Sequence, residues 1–442
     1  MGFPGKSMAE HKFSHQFIKN VCSGPLKILV NTIIVFFSYR YFLQVFGVDK
    51  YSIWLLLGVI IDFSRLGNLG ISDIIIKYVA EARGQQDKVR LCQYVSTSLL
   101  LISAFVLLLG TPLLLAKSFA PQFIHIVPEY IPLFTMMYDK ILILSFLLIL
   151  LELFLGILFG LGRADVANYL QSASTFFGTL LSILLVYFKF DFMGLYLGTL
   201  TGTVCVMMIS LYYIYRILGY FPFKLAYFNK VVVQDILHNS VIMFTSSIIN
   251  LFFLPAGKIL ISRYIGSTEV VCYDLAFKLG FQIRGLFDLG LKALVPEFSS
   301  LKANTPDLFM VLRKIYKYLF AAVVPVFSVI FIFSSTILQL WLSSAYLPLI
   351  NDSFRIVFVG FTINLFAVPI YYLLLAHGKF IKILWGYIIQ SFVVFACSLL
   401  YFLYFGGQSY YVFLFINLLG MTLASGYLLL FNGFTSRWQR IK

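Results

Sequence analysis

Charged residues are scarce in this chain. Only 12% of its 442 residues are Asp, Glu, Lys or Arg, about half the share found in a soluble globular protein. Long polar stretches are scarce too, and 61% of the residues are hydrophobic, which is more than a protein in water can bury in its cores. The composition therefore excludes a soluble protein and leaves no room for a sizeable domain outside a membrane.

Cysteine is also rare, and the few thiols lie far apart, mostly within apolar runs. They are Cys22, Cys92, Cys205, Cys272 and Cys397. This distribution fits neither a disulfide framework nor a zinc site, so we interpret them as small hydrophobes. A phosphate-binding Walker sequence is lacking as well, because GFPGKS near the start has the wrong spacing and precedes no strand. We predict no catalytic residue, no metal and no cofactor.

What the chain has in abundance is apolar runs of about 20 residues, each long enough to cross a bilayer as a helix. They cover residues 25–46, 51–72, 94–116, 141–161, 167–188, 192–215, 239–262, 269–291, 317–340, 353–376, 382–405 and 410–432. The runs lack the polar and apolar alternation of a membrane β-barrel. The sequence thus predicts an all-α integral membrane protein with twelve transmembrane helices.

The net charge of +15 would suggest nucleic acid in a soluble protein, but here most Lys and Arg residues fall in the connections on one side of the membrane. The connections on the other side hold only Lys50, Lys117, Lys140, Lys189 and Arg263. The positive-inside rule then places both termini in the cytoplasm, with residues 1–24 a retained arm rather than a signal peptide. The basic residues orient the helices beside anionic membrane lipids, and no nucleic-acid partner is predicted.

The connections indicate no catalytic domain. The longest outside loop, about residues 117–139, is short and itself apolar. Inside, residues 73–92 and 293–312 mix apolar with charged positions, as do helices that lie at the membrane interface. An integral-membrane glycosyltransferase or polymerase, which usually presents a large outside loop, therefore stays an alternative without a visible catalytic site.

An internal repeat relates the two halves of the chain. FGVDKY at 46–51 and RLGNLGI at 65–71 resemble IGSTEVVCY at 265–273 and RGLFDLGL at 284–291. A repeat that spans an even number of helices predicts two six-helix bundles of the same orientation, related by a pseudo-two-fold axis along the membrane normal. The predicted division is an N-lobe at 25–216, a cytoplasmic linker at 217–238, a C-lobe at 239–432 and a cytoplasmic tail at 433–442.

The stretches YSIWLLLGVIIDFSRLGNLGISDIIIKYVAEARGQQD, GKILISRYIGSTEVVCYDLAFKL and ALVPEFSSLKA resemble the polysaccharide-biosynthesis branch of the multidrug/oligosaccharidyl-lipid/polysaccharide (MOP) flippase superfamily, which includes O-antigen flippases. The resemblance implies a V-shaped, MATE-like pair of bundles with alternating access to a cavity between them. It also implies a bacterial inner-membrane flippase of undecaprenyl-diphosphate-linked oligosaccharide, used in O-antigen or lipopolysaccharide biosynthesis alongside other polysaccharide-assembly membrane proteins. Gly257 departs from the pattern, because relatives often carry an acid there, so a cation-coupling role of that acid does not carry over.

Charged side chains near the bilayer centre are costly and usually face a partner or a wet cavity. Arg40, Arg65 and Arg284 are our candidates for the substrate diphosphate, because guanidinium forks match phosphate oxygens, and the resemblance implies basic residues in helices 1, 2 and 8 for lipid-linked substrates. Three carboxylates are candidates either for coupling to an ion, which would be a proton or sodium, or for charge pairing. They are Asp62, Glu152 and Asp288. Four further residues are cavity candidates, namely Lys258, Lys278, Asn68 and Tyr273.

Helical spacing places three pairs of opposite charges on the same face of a helix: Asp62 with Arg65, Asp274 with Lys278, and Arg284 with Asp288. The competing interpretation is that such pairs only neutralise one another. Glu152 has no local partner and is either a proton-linked carboxylate or a structural partner of Arg40. Lys258 and Arg355 are expected to extend to the lipid headgroups, and Tyr39, Tyr41, Asn364 and Tyr371 join Asn68 and Tyr273 as weaker candidates for a sugar path.

A second function from the same superfamily is a cation-coupled exporter of small amphiphilic drugs. That function favours an acidic cavity, whereas the charges within these spans are mostly basic. The sequence therefore favours the flippase over the exporter.

Overall fold

A computed structural model describes residues 8–292, 298, 306–377, 379–405 and 409–430. Over these residues the chain forms thirteen α-helices and no strand, which confirms the all-α prediction. The helices are α1 (Met8–Ser64), α2 (Ile71–Gly84), α3 (Lys88–Leu115), α4 (Ala120–Ile124), α5 (Ile131–Gly160), α6 (Ala164–Tyr187), α7 (Asp191–Leu218), α8 (Lys230–Tyr264), α9 (Ser267–Lys292), α10 (Pro306–Leu342), α11 (Pro348–Ala376), α12 (Phe380–Tyr404) and α13 (Tyr410–Leu429).

Ten segments within the described residues are long and apolar enough to cross a membrane, which makes this a multi-pass membrane protein. The predicted count was twelve, and two features account for the difference. The first two predicted crossings lie in one continuous helical segment, Ser23–Asn68. The crossing predicted at 269–291 corresponds to α9, which is 26 residues long. This helix is long enough to cross a membrane, but its charged residues make it less apolar than the ten segments.

The break between the first two predicted crossings lies at Gly47. This residue has φ 72° and ψ 171° inside α1, a left-handed conformation that glycine adopts without steric cost. The second crossing was predicted to reach residue 72, but the α-helix ends at Ser64 and a 3₁₀ turn follows at Arg65–Asn68. Left-handed residues Leu69 and Gly70 then prevent its continuation.

The crossing predicted at 141–161 begins earlier than expected. Helix α5 starts at Ile131, so the C-terminal part of the predicted outside loop is helical. The negative charge of Asp139 in this earlier part of α5 is compensated, because Lys117 Nζ lies 2.5 Å from Asp139 Oδ2. A short helix, α4, occupies another part of the same loop.

Helix α2 has the amphipathic character predicted for an interfacial segment. Its buried positions, Ile71, Ile75, Tyr78, Val79 and Ala82, recur at helical spacing on one face, whereas the charged residues of this helix lie on the exposed side. The two-faced helix predicted for residues 73–92 is present only as far as Gly84, because Lys88 begins α3, which is itself long and apolar enough to cross a membrane. The corresponding prediction for residues 293–312 falls largely outside the described residues.

The helices group into two compact units. Unit 1 comprises the described parts of Met1–Tyr39, Ile60–Ser118 and Thr135–Ser247, and unit 2 those of Arg40–Val59, Phe119–Phe134 and Ile248–Lys442. Helix α1 contributes to both units. The lobe boundaries proposed from the sequence stay a prediction.

In unit 1, helices α6 and α7 form the most extensive helix pair, and glycines allow their close approach. A Cβ atom on Gly198 of α7 would lie 2.5 Å from the backbone nitrogen of Ser182 and 2.7 Å from the carbonyl oxygen of Gly178, both on α6. The Ser182 hydroxyl also reaches across to the Leu195 carbonyl oxygen at 3.3 Å. Small residues at such a contact are typical of helix packing in membranes.

We expect Gly198→Ala to destabilise unit 1 by about 1–3 kcal/mol, because the added methyl group meets backbone atoms and the two helices must separate. The measurement is the thermal unfolding temperature of the purified protein in detergent. Gly110→Ala in α3 is the matched control, since a Cβ there meets nothing within 4 Å and alanine favours the helix. If the Gly198 variant unfolds no lower than the Gly110 variant, close packing at this position is not important.

In unit 2, α9 packs against α11, and α13 packs against both α11 and α12. Aromatic rings fill the α9–α11 contact: Phe361 of α11 lies 5.8 Å from Phe277 and 4.8 Å from Phe281, both of α9, in edge-to-face arrangements. Gly280 makes room for the Phe361 ring, which would collide with a Cβ there. This packing positions the polar residues of α9, α11 and α12 described below.

Candidate functional site

Unit 1 contains an arginine shared by two carboxylates, here called the carboxylate–arginine cluster (Asp62, Arg65, Asn68 and Glu152). Arg65 Nη1 lies 3.5 Å from Asp62 Oδ1 and Arg65 Nη2 lies 3.2 Å from Glu152 Oε1. The predicted pairing of Asp62 with Arg65 is therefore confirmed. All three charged side chains remain about one-third to one-half exposed, with Arg65 at 48%.

Asn68 connects this cluster to helices α5 and α2 by hydrogen bonds. Its Nδ2 donates to Glu152 Oε2 at 3.1 Å, and its Oδ1 accepts from the backbone nitrogen and the hydroxyl of Ser72 at the start of α2. The 3₁₀ turn after α1 places Arg65 and Asn68 on the same side as Glu152 of α5. With two carboxylates and one guanidinium, the cluster carries an excess negative charge when both acids are ionised.

Arg40 is a guanidinium with no compensating acid among the residues that the structure describes. It lies in α1, seven residues before Gly47, within the portion of the helix that belongs to unit 2, and is part-buried. Among the residues that the structure describes, no hydrogen-bond or ion-pair partner contacts it. A charge in a membrane span costs about 2.5–3.5 kcal/mol on insertion scales, so a guanidinium at this position is energetically unfavourable without a counter-charge.

Unit 2 contains a buried ion triad formed by Lys258, Asp274 and Lys278. Lys258 Nζ lies 2.5 Å from Asp274 Oδ1, and Lys278 Nζ lies 2.6 Å from Asp274 Oδ2. The Asp274 side chain is 2% exposed and that of Lys258 9%. The predicted Asp274–Lys278 pair is confirmed. The expectation that Lys258 extends to the headgroups is wrong, because the carboxylate on α9 holds its ammonium inside the protein.

Tyr273, a sequence-based cavity candidate, is fully buried in unit 2. Its hydroxyl donates to Asn417 Oδ1 at 3.1 Å and lies 2.8 Å from where a Cβ on Gly257 would be. The space that an acidic side chain would need at position 257 is thus filled by the tyrosine. This contact gives a physical reason for the glycine in this chain.

Arg355, expected at the headgroups, contacts protein instead. Its Nε donates to the Ser334 hydroxyl at 2.9 Å, and its guanidinium lies over the Phe331 ring at 5.4 Å. These partners satisfy the Nε donor and place the positive charge over an aromatic face.

Arg284 and Asp288 line a cavity of about 200 Å³ within unit 2, here called the C-terminal cavity. Its walls come from α9, α11, α12 and α13, and its polar residues are Arg284, Asp288, Asn364, Tyr371, Tyr372, Tyr387 and Gln390. Tyr372 lies near Asp288, and Tyr387 lies near Tyr371. Two of the weaker sugar-path candidates, Asn364 and Tyr371, therefore lie beside Arg284.

Sequence reasoning missed Tyr372, Tyr387 and Gln390. The sequence does contain a signal for two of them. Helix α12 has residues at i, i+3, i+4 and i+7 that line the cavity together, namely Ile383, Gly386, Tyr387 and Gln390. In an apolar span such a pattern indicates a face, but it does not say which other helix that face meets.

Comparison with known proteins places the chain in a family. The family model described as polysaccharide biosynthesis protein matches residues 18–302, which is more than half of the sequence. The chain belongs to the polysaccharide biosynthesis protein family. The match covers the carboxylate–arginine cluster, Arg40, the buried ion triad and both charged residues of the C-terminal cavity. No curated protein matches this family member in sequence.

Solved structures share the fold of this polysaccharide biosynthesis family member. A multidrug resistance MATE family transporter of the MOP superfamily aligns in its outward-facing conformation with a TM-score of 0.64 and 17% identity over 94% of both chains. A multidrug resistance MATE family transporter in an inward-facing conformation aligns with a TM-score of 0.65 and 16% identity, over 94% of this chain and 93% of that one. A MOP superfamily transporter from Pyrococcus furiosus, described as having a binding pocket of reversed polarity, aligns with a TM-score of 0.62 and 17% identity over 94% of both chains. At these identities the likeness establishes the MATE-like fold.

Proposed function

We propose that this protein is a flippase that moves an undecaprenyl-diphosphate-linked oligosaccharide, such as an O-antigen repeat unit, to the outer leaflet of a bacterial inner membrane. The observation that carries the proposal is membership of the polysaccharide biosynthesis protein family. The MATE-like fold supports transport as the activity. In this proposal both termini are cytoplasmic, and alternating access exposes the substrate headgroup first to one side of the membrane and then to the other.

The diphosphate contact is assigned chiefly to Arg40. Its guanidinium has no acid beside it among the described residues, and a guanidinium can donate two parallel hydrogen bonds to phosphate oxygens. Arg65 remains a secondary contact, because it already pairs with Asp62 and Glu152. Arg284 is not assigned to the diphosphate, because it shares its cavity with the negative charge of Asp288.

Energy for transport is assigned to ion coupling at the carboxylate–arginine cluster. Glu152 and Asp62 compete for the single Arg65 guanidinium, so a proton or a sodium ion on one carboxylate leaves a balanced pair on the other. Binding of either ion therefore changes the local charge by one unit without breaking every ion pair. The translocation itself needs no covalent step.

The proposal is tested in the source bacterium by deleting the gene and measuring which leaflet holds the lipid-linked oligosaccharide. We expect the complete repeat unit to accumulate on the cytoplasmic leaflet, and the wild-type gene to restore surface polysaccharide. A drug exporter predicts changed drug susceptibility with normal polysaccharide. A glycosyltransferase or polymerase predicts an incomplete repeat unit, or a complete unit already on the outer leaflet, and either result overturns the flippase proposal.

A further inference from the structure

Two residues that line the C-terminal cavity of unit 2 each carry a buried polar atom that no described residue satisfies. One is Arg284 Nε, a hydrogen-bond donor, and the other is Asn364 Oδ1, an acceptor. Buried polar groups are nearly always hydrogen-bonded, and an unpaired one is energetically costly. A ligand that accepts one hydrogen bond and donates another would satisfy both atoms once the two side chains turn toward the cavity.

The hydrogen-bond network fixes the orientation of the Asn364 amide. The Ser425 hydroxyl donates its proton to the Met421 carbonyl oxygen at 2.7 Å, so it can only accept from Asn364. Asn364 Nδ2 accordingly donates to Ser425 Oγ at 3.1 Å. The unpaired atom is therefore the amide oxygen, and it requires a donor such as a hydroxyl group.

The charges that line this cavity balance. Arg284 contributes one positive charge and Asp288, one helical turn later on α9, one negative charge. The other polar lining residues are neutral amides and phenols. Because these two charges cancel, neither a diphosphate nor a cationic drug gains a net electrostatic attraction from the cavity. The electrostatics thus favour a neutral ligand.

The size and walls of the cavity narrow the ligand further. About 200 Å³ holds roughly six water molecules at liquid density, which is comparable to one sugar ring and too small for an oligosaccharide. The rings of Tyr371, Tyr372 and Tyr387 supply flat apolar surface together with hydroxyl groups. Such a mixture of aromatic faces and a few placed polar groups is typical of small-molecule sites.

We propose that the C-terminal cavity is a subsite for one neutral pyranose ring of the transported glycan, distinct from the diphosphate contact at Arg40. A ring hydroxyl accepts from Arg284 Nε and another donates to Asn364 Oδ1, while Asp288 accepts from further hydroxyls. This assignment rests on the proposed flippase function, because it identifies the ligand as part of the lipid-linked oligosaccharide.

The test is a binding measurement on the full-length protein, purified in a polyoxyethylene detergent so that no glucoside or maltoside headgroup competes. The probes are the methyl glycosides of glucose, galactose, mannose and N-acetylglucosamine, with inorganic pyrophosphate as the anionic comparison. Saturation-transfer NMR and calorimetry report the affinities. We expect at least one glycoside to bind with millimolar affinity in the presence of excess pyrophosphate.

Three variants locate the binding. Asn364→Leu and Arg284→Met each remove one of the unsatisfied atoms, and we expect each to weaken glycoside binding by about fivefold or more, the effect of one lost hydrogen bond. Asp288→Asn gives the cavity a net positive charge, so we expect it to gain binding of pyrophosphate. Arg355→Met is the matched control, because this arginine contacts Ser334 and Phe331 outside the cavity, and we expect this variant to bind the glycoside with the affinity of the wild type.

The outcomes separate this subsite from the flippase function. No binding of any glycoside, or equal binding in the wild type and both cavity variants, overturns the subsite even if the gene deletion traps the repeat unit on the cytoplasmic leaflet. Glycoside binding that the cavity variants weaken supports the subsite. If it occurs without any leaflet defect in the deletion strain, the flippase proposal fails and the sugar-binding cavity remains.

Discussion

Replacing Asp274 by Asn is expected to lower the free energy of unfolding by about 3–5 kcal/mol, the usual cost of removing one partner from a buried ion pair. The substitution keeps the side-chain volume but leaves Lys258, whose side chain is 9% exposed, without a counter-charge. At the size of unit 2 this corresponds to a fall of about 10 °C in the unfolding temperature. Fluorescence-detected size-exclusion chromatography after heating measures it in detergent.

A second variant separates the buried charge from loss of packing. Lys258→Met combined with Asp274→Asn removes both buried charges, and we expect it to recover most of the lost stability, since Lys278 is 39% exposed and can be solvated. Asp352→Asn is the control for the chemical change alone. Asp352 lies at the start of α11, and its carboxylate accepts a hydrogen bond from the Tyr411 hydroxyl. An Asp274→Asn variant as stable as this control would mean that the triad contributes nothing to the fold.

Replacing Arg40 by Ala is expected to reduce surface polysaccharide by about 10–100-fold, because the diphosphate loses a charge-assisted, two-pronged hydrogen bond. Arg40→Lys should retain part of the activity, since it keeps the charge but not the planar fork. The measurement is complementation of the deletion strain, with surface polysaccharide quantified per molecule of membrane-inserted protein.

Arg355→Ala provides the comparison for Arg40, because both arginines lie within candidate spans but Arg355 has Ser334 and Phe331 as partners. We expect it to complement like the wild type. Full surface polysaccharide with Arg40→Ala at normal protein abundance would remove Arg40 from the substrate path and transfer the diphosphate assignment to Arg65.

Local patterns in the sequence predicted much of the helix layout and the neighbouring charge pairs. Asp62 with Arg65 and Asp274 with Lys278 pair as helical spacing requires, because residues three or four apart on one helix must lie on the same face. The break at Gly47 likewise follows from a short polar stretch between two apolar runs. Helix ends were less predictable, as the early start of α5 shows, because they depend on contacts such as Lys117 with Asp139.

Partners from different helices could not be predicted, since hydropathy gives the length of a helix but not its rotation or its neighbours. Glu152 pairs with Arg65 across 87 positions of sequence, and nothing local to either residue indicates it. The same holds for Lys258, whose partner Asp274 lies on the next helix. The C-terminal cavity is the extreme case, because four helices must pack before its polar residues face a common space.

The charges on α9 have a consequence for the biogenesis of this protein. Each charged residue near the centre of a helix adds about 2.5–3.5 kcal/mol to its insertion by the translocon. Helix α9 carries six charged residues, and three of them, Asp274, Lys278 and Arg284, lie in its middle part. Helix α8, which leaves the ribosome first, brings Lys258 as the counter-ion of Asp274. We therefore expect α8 and α9 to enter the lipid together as a hairpin, with the ion pair formed during synthesis rather than after it.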